Sequence, residues 1–145
     1  MENKILEVNN LITRFHTERG VMTAVDGVSF YVKKGEILGI VGESGCGKSV
    51  TSQSILRLFD EKRLAEYDGD IIFDGKNILK MSDKEMQSIR GNNISMVFQD
   101  ALSSLNPVFT IGQQIMEPLM IHQKMKKKEA KEKTLELLKL VEIPA

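Results

Sequence analysis

Residues 42–49 read Gly42-Glu43-Ser44-Gly45-Cys46-Gly47-Lys48-Ser49, which fits the pattern G-x-x-x-x-G-K-[ST] of a phosphate-cradling loop. A random chain of this length matches it with odds of about half a percent at ordinary residue usage, and the flanks fit as well. Upstream, Glu36-Ile37-Leu38-Gly39-Ile40-Val41 is a short apolar run that predicts a buried strand. Downstream, Val50, Ile55, Leu56, Leu58 and Phe59 predict a helix over 49–59. Strand, glycine loop and helix are the setting such a loop requires.

The chemistry follows from the residue types. Glycines let backbone N–H groups turn inward, and the helix behind them points its positive end at the same place. This predicts that the amides of Gly45, Gly47 and Lys48 face the β-phosphate of a nucleoside triphosphate, with Gly42, Glu43, Ser44, Cys46 and Val50 completing the binding stretch. The Lys48 ammonium reaches the β- and γ-phosphates and counts as catalytic, and the Ser49 hydroxyl is a Mg²⁺ ligand. Cys46, the single cysteine, is a small side chain at a free position of the loop. Beside Lys48 and at a helix N-terminus, it is also a candidate reactive thiol.

Composition sets wide bounds. The chain has 145 residues, enough for one domain, and Lys+Arg and Asp+Glu are both 20. The zero net charge offers no electrostatic case for nucleic acid. One cysteine permits no internal disulfide and suits a reducing compartment. No signal core and no membrane-spanning run is present, so the expectation is a soluble polypeptide whose membrane attachment, if any, goes through a partner.

Along the chain, Ile5–Val8 with Leu11-Ile12, and the alternation Val28, Phe30, Val32, predict antiparallel strands joined by a turn at 17–20. Asp70–Phe73 then Asp74-Gly75 reads as a strand and tight turn. Ser82 to Glu85 has capping-box spacing for a helix to about Arg90, and Asn93–Gln99 reads as a further strand. Thr110 can cap a helix to Met120, in which Pro118 implies a kink or break. A last helix spans about 127–141, with Leu135, Leu138 and Val141 at helical spacing. The basic run Lys124–Lys133, interleaved with Glu129 and Glu132, reads as a solvated helix face, and His16 and His122 read as surface residues.

Three stretches beyond the loop narrow the reading. Residues 24–42, residues 94–107 ending Ser-Leu-Asn-Pro, and Leu11-Ile12-Thr13-Arg14-Phe15 together make the chain resemble the ATP-binding subunit of an ABC transporter, in the dipeptide/oligopeptide import subfamily. The fold this implies is α/β: a P-loop NTPase of ABC nucleotide-binding type, with an antiparallel β-subdomain and RecA-like core over about 1–100 and the start of a helical subdomain over about 99–145. The resemblance makes Gln99 the Q-loop glutamine, contacting Mg²⁺ or the attacking water, and places Phe15 against adenine. It implies ATP and Mg²⁺ as cofactors and a second ATPase subunit as a head-to-tail partner. It also implies permease subunits docking on the segment from Asp100 to about Pro118, an extracellular solute-binding protein acting indirectly, and a place on the inner face of the cell membrane. Peptides are the implied cargo, with nickel or a related small solute as the alternative.

The family's signature sequence, its Walker B acids and its switch histidine would follow residue 145, and the resemblance finds none of them in this chain. The expectation is therefore a truncated domain that binds ATP weakly and turns it over negligibly. Exposed sheet edges would also make it prone to self-association. A free-standing, non-hydrolysing nucleotide-binding module is the alternative.

Overall fold

The computed structural model describes residues 3–61, 63–100 and 104–143. The chain divides into two compact units, Met1–Met86 and Gln87–Ala145.

The first unit is built on two long strands, β1 (Lys4–Thr17) and β2 (Gly20–Lys33), which pair antiparallel through the two-residue connection Glu18-Arg19. β3 (Ala65–Phe73) lies on the other side of β1, and the short β4 (Lys76–Asn77) closes a sheet of order β2-β1-β3-β4. One face of β1 supplies the core: Val8, Leu11 and Thr13 are fully buried, with Ile71 of β3 beside them.

Helix α1 (Lys48–Ile55) packs on this sheet with an unusually polar inner face, for Thr51 and Ser54 are its buried residues. Its attachment is specific rather than greasy. Ser54 Oγ donates to the Val50 carbonyl at 2.7 Å and shares a buried hydrogen bond with Thr13 Oγ1 at 2.9 Å. Removing one partner of such a pair strands the other away from water, at a cost of about 1–3 kcal/mol.

The helix is shorter than its apolar pattern implies. Arg57 adopts a left-handed φ of 49° and turns the chain out of helix before Leu58 and Phe59. Arg57, only 8 % exposed, secures this turn through its guanidinium. It grips Glu61 in bidentate fashion at 2.5 and 2.9 Å and donates to the carbonyls of Ile78 and Met81 at 3.1 and 2.6 Å. The Glu61 hydrogen bond raises the Arg57 pKa above its ordinary value against the opposing effect of burial. Helix α2 (Asp83–Ile89) starts with the expected capping box: Ser82 N–H and Oγ donate to Glu85 Oε2 at 2.8 and 2.6 Å. The Ser82 hydroxyl, foremost, holds the Glu85 carboxyl below its ordinary pKa. That contribution is present above the unfolded pKa and fades as pH falls through the lowered folded value.

Two expected strands do not form. Residues 36–41 form no strand, and Ile37 and Val41 are 97 % and 95 % exposed. Residues 93–99 hold only an isolated bridge between Arg90 and Ile94. An apolar run has the composition of a buried parallel strand, yet a strand exists only where a neighbour takes its N–H and C=O groups. Among the described residues, no strand pairs with 36–41, and in 93–99 the pairing stops at the single Ile94 bridge.

The second unit pairs helices α3 (Ile111–His122) and α4 (Lys127–Leu140). Thr110 caps α3 as expected, in a reciprocal box with Gln113. The helix runs unbroken through Pro118, contrary to the possibility of a break. The buried residues of α4 are Ala130 and Thr134, not the leucines, and Leu135 and Leu140 remain exposed. The basic face of α4 is solvated as expected, while His122 is half-buried rather than on the surface.

Candidate functional site: a phosphate loop at the head of α1

Two features of the sequence hold residues 42–49 in shape. Gly45 and Gly47 both have positive φ, 82° and 91°. Gly47 is also irreplaceable for space, since a Cβ there would lie 2.7 Å from the Ala24 carbonyl oxygen of β2. The loop is thus pressed against the sheet where only glycine fits. Gly42 makes room inside the loop itself, because a Cβ on it would meet Cys46 Sγ at 2.6 Å.

The head of α1 carries no side-chain cap. The first intrahelical bond runs from Thr51 N–H to the Gly47 carbonyl at 2.8 Å, leaving the leading amides of the helix outside its own hydrogen-bond ladder. An uncapped, glycine-led N-terminus of this kind accepts an anion. A cation is folded over the same loop: Lys48 Nζ donates to the carbonyls of Gly42 and Glu43 at 2.7 and 2.5 Å and approaches Cys46 Sγ at 3.4 Å. Ser49 is exposed one residue further on, where an oxygen ligand can be offered to a metal beside a phosphate. Glu43, Ser44 and Cys46 are exposed and Val50 is half-buried, so the whole binding stretch from 42 to 50 lies at the head of one helix. Beside the loop, a cavity of about 350 Å³ is lined by Val28, Phe30, Leu38, Ile40 and Val41 together with Cys46, Lys48 and Thr51.

Phe15 sits at the far end of β1 in the same unit. It is half-buried and in perpendicular contact with Phe59, with ring centroids 4.8 Å apart. Gln99 belongs to the second unit, where it is exposed in an irregular stretch. Of the segment expected to dock on a permease, residues 101–103 lie outside the described residues. Its remainder is organised by Gln114, which the sequence reading overlooked. Gln114 Oε1 accepts from Asn106 N–H at 2.9 Å, and Nε2 donates to the carbonyls of Asn106 and Phe109 at 2.9 and 3.0 Å. An amide one turn inside a helix that follows Asn-Pro is the signal that was there to be used. No group of three or more His, Cys, Asp or Glu side chains that could hold a metal occurs among the described residues.

Residues 25–145 match the ABC transporter family. The chain belongs to that family. A probable peptide ABC transporter ATP-binding protein of Sinorhizobium fredii is 51 % identical to this ABC-family chain over 139 residues, covering 96 % of it and 42 % of the relative. The dipeptide transport ATP-binding protein DppD of Bacillus subtilis is 52 % identical over 141 residues, covering 97 % of the chain and again 42 % of the relative. The chain therefore spans about two-fifths of the length of the curated relatives it matches. Among solved structures, the ATP-binding cassette MJ0796, a dimer in a post-hydrolysis state bound to ADP and Pi, superposes with a TM-score of 0.74 at 25 % identity. That match covers 94 % of this chain and 57 % of the cassette. The ABC-type fold expected from the resemblance is thus present: an antiparallel sheet, a phosphate-loop helix and the start of a helical unit. No helix among the described residues is long and apolar enough to cross a membrane.

The position of Cys46 carries a chemical consequence. The thiol is exposed inside the loop, 3.4 Å from the Lys48 ammonium. Alkylation with N-ethylmaleimide is expected to place a bulky group in the space a phosphate needs and to reduce ATP binding at least tenfold. Saturating MgATP is expected to slow the labelling. Equal labelling rates with and without nucleotide, followed by mass spectrometry, would refute this.

Proposed function

We propose that this chain is the phosphate-binding part of the ATP-binding subunit of an importer, and that the complete subunit couples ATP binding and hydrolysis to peptide uptake across the cytoplasmic membrane. The observation that carries the nucleotide reading is the uncapped head of α1, with Gly47 wedged under Ala24 and Lys48 Nζ folded over the same loop. The peptide reading is supported by relatives named for peptide, dipeptide and oligopeptide transport at 48–52 % identity.

In this account the amides of Gly45, Gly47 and Lys48 hold the β-phosphate. Lys48 gives up its contacts with the Gly42 and Glu43 carbonyls to neutralise the β- and γ-oxygens. The Ser49 hydroxyl is the group at the head of α1 that would hold Mg²⁺, and Gln99 keeps the Q-loop role that the family resemblance gives it. When bound, MgATP supplies the scissile phosphoanhydride bond. Phe15 offers a ring to the base, a contact that any purine can make. The partners follow from the same reading: a second ATPase subunit, permease subunits reached through the segment after Gln99, a solute-binding protein acting indirectly, and a site on the inner face of the membrane.

Lys48 and Ser49 stabilise charge and hold a metal, but no acidic side chain in this chain is assigned to polarise the attacking water. The 145-residue chain is accordingly expected to bind MgATP and to turn it over far below the 1–100 s⁻¹ common for phosphoryl-transfer enzymes. Isothermal titration with MgATP, paired with phosphate release under the same conditions, tests both halves. Turnover near one per second would contradict the second, and absence of any binding would contradict the first.

A further inference from the structure

Phe59 has no place in the phosphate chemistry, yet it is held with unusual care. It follows the left-handed turn at Arg57, and the turn is closed by Leu58 N–H donating to the Gln53 carbonyl of α1 at 3.1 Å. Its own N–H donates to the Tyr67 hydroxyl of β3 at 3.3 Å. Phe59 is therefore tied at one end to the helix that carries the phosphate loop and at the other to the central sheet.

The ring it presents meets Phe15 at 87° with centroids 4.8 Å apart, an edge-to-face arrangement that fixes orientation as well as distance. A single perpendicular neighbour stacks on neither face of Phe15, which is half-buried rather than enclosed. Phe15 itself lies on β1, opposite Ala65 of β3 and Met22 of β2, and the ring contact with Phe59 comes from outside these strand partners.

We propose that Phe59 is a positioning residue for nucleotide binding: it orients the Phe15 ring for base stacking and links that platform mechanically to the phosphate loop through α1. The inference rests on the reading of Phe15 as the base platform and adds the residue that makes it one. It also bears on selectivity. A platform fixed by ring contacts alone, with no edge hydrogen bonds, accepts purines generally and contributes nothing to a ligand without a base.

The test uses that difference. Dissociation constants for MgATP and for magnesium tripolyphosphate, which has the phosphates and no base, are measured by calorimetry on the 145-residue chain. The proteins compared are the parent, Phe59→Leu, Phe59→Met, Phe15→Leu and the Phe15→Leu/Phe59→Leu pair. Phe59→Leu and Phe59→Met are expected to weaken MgATP about 2- to 10-fold, the range an aromatic pair contributes. Tripolyphosphate binding should stay within twofold, and Phe59→Leu should have no further effect once Phe15 is leucine. Equal weakening of both ligands, or an undiminished effect in the Phe15→Leu background, overturns the proposal by showing a general structural role. Unchanged MgATP affinity in both Phe59 variants overturns it too. Failure of the underlying reading shows separately, in the parent protein: equal affinities for the two ligands remove Phe15 as the platform, and binding of neither removes the nucleotide site.

Discussion

Replacing Lys48 with alanine is expected to weaken MgATP binding by about 100-fold or more while leaving the fold in place. The ammonium is the cation folded over a loop whose other ligands are backbone amides. Hydrogen bonds to charged groups contribute about 1.5–3 kcal/mol each, and Lys48 is positioned to make two, to the β- and γ-phosphates. Each 1.4 kcal/mol is tenfold in affinity. The fold survives because, among the described residues, the hydrogen bonds of Nζ lie inside the loop, on Gly42, Glu43 and Cys46. The buried attachment of α1 through Thr51, Ser54 and Leu56 is untouched. Calorimetric titration with thermal unfolding as the control separates the two effects. A variant that binds MgATP normally, or one that loses binding because it has unfolded, contradicts the assignment.

The largest stability effect is expected far from the loop, at Gly69. β1 bulges between Asn9 and Ile12 where it pairs with β3, and Asn10 there has a φ of 49°. Gly69 of β3 faces that bulge with a φ of 90°. A Cβ on it would lie 2.6 Å from the Asn9 carbonyl oxygen and closer still to that of Asn10. These are backbone atoms in the middle of the sheet and cannot swing aside. Gly69→Ala should therefore cost about 3–5 kcal/mol, combining left-handed strain with a backbone clash. The expected fall in melting temperature is on the order of 10 °C or more. Gly75 is the comparator: its φ is 77°, but a Cβ there meets nothing within 4 Å. Gly75→Ala should lose only the conformational part, about 1 kcal/mol. Equal melting temperatures for the two variants would show that the approach at Gly69 is not as close as described.

The shape of the glycine loop at 42–49 was legible because its signal is local. Glycines at 42, 45 and 47 and Lys48-Ser49 behind them state a backbone shape and a charge without reference to the rest of the chain. The hairpin of β1 and β2 and the caps of α2 and α3 were readable for the same reason. The strands expected at 36–41 and 93–99 fail on the opposite ground. Ile37, Val41 and Val97 have strand composition, but pairing is a property of two segments, and a single sequence window shows one. The end of α1 was misjudged because apolar periodicity continues through Leu58 and Phe59, whereas the stop signal is Arg57. Its guanidinium is buried by Glu61 and by the carbonyls of Ile78 and Met81, which lie 21 and 24 residues away. The partnership of Thr13 with Ser54 spans 41 residues and was equally invisible. Phe15 was picked out by resemblance, while Phe59, which orients it, has no motif to announce it.

On the proposed function, the main chain from Gly42 to Ser49 encloses a polyphosphate. The most direct measurement is a titration of ¹⁵N-labelled protein with MgATP, following backbone amide resonances, with magnesium tripolyphosphate as a second ligand. Saturable shifts are expected for Gly45, Gly47 and Lys48 that are the largest in the spectrum, nearly the same for both ligands, and absent in Lys48→Ala. Unmoved resonances for these three amides at ligand concentrations that saturate binding elsewhere would contradict it.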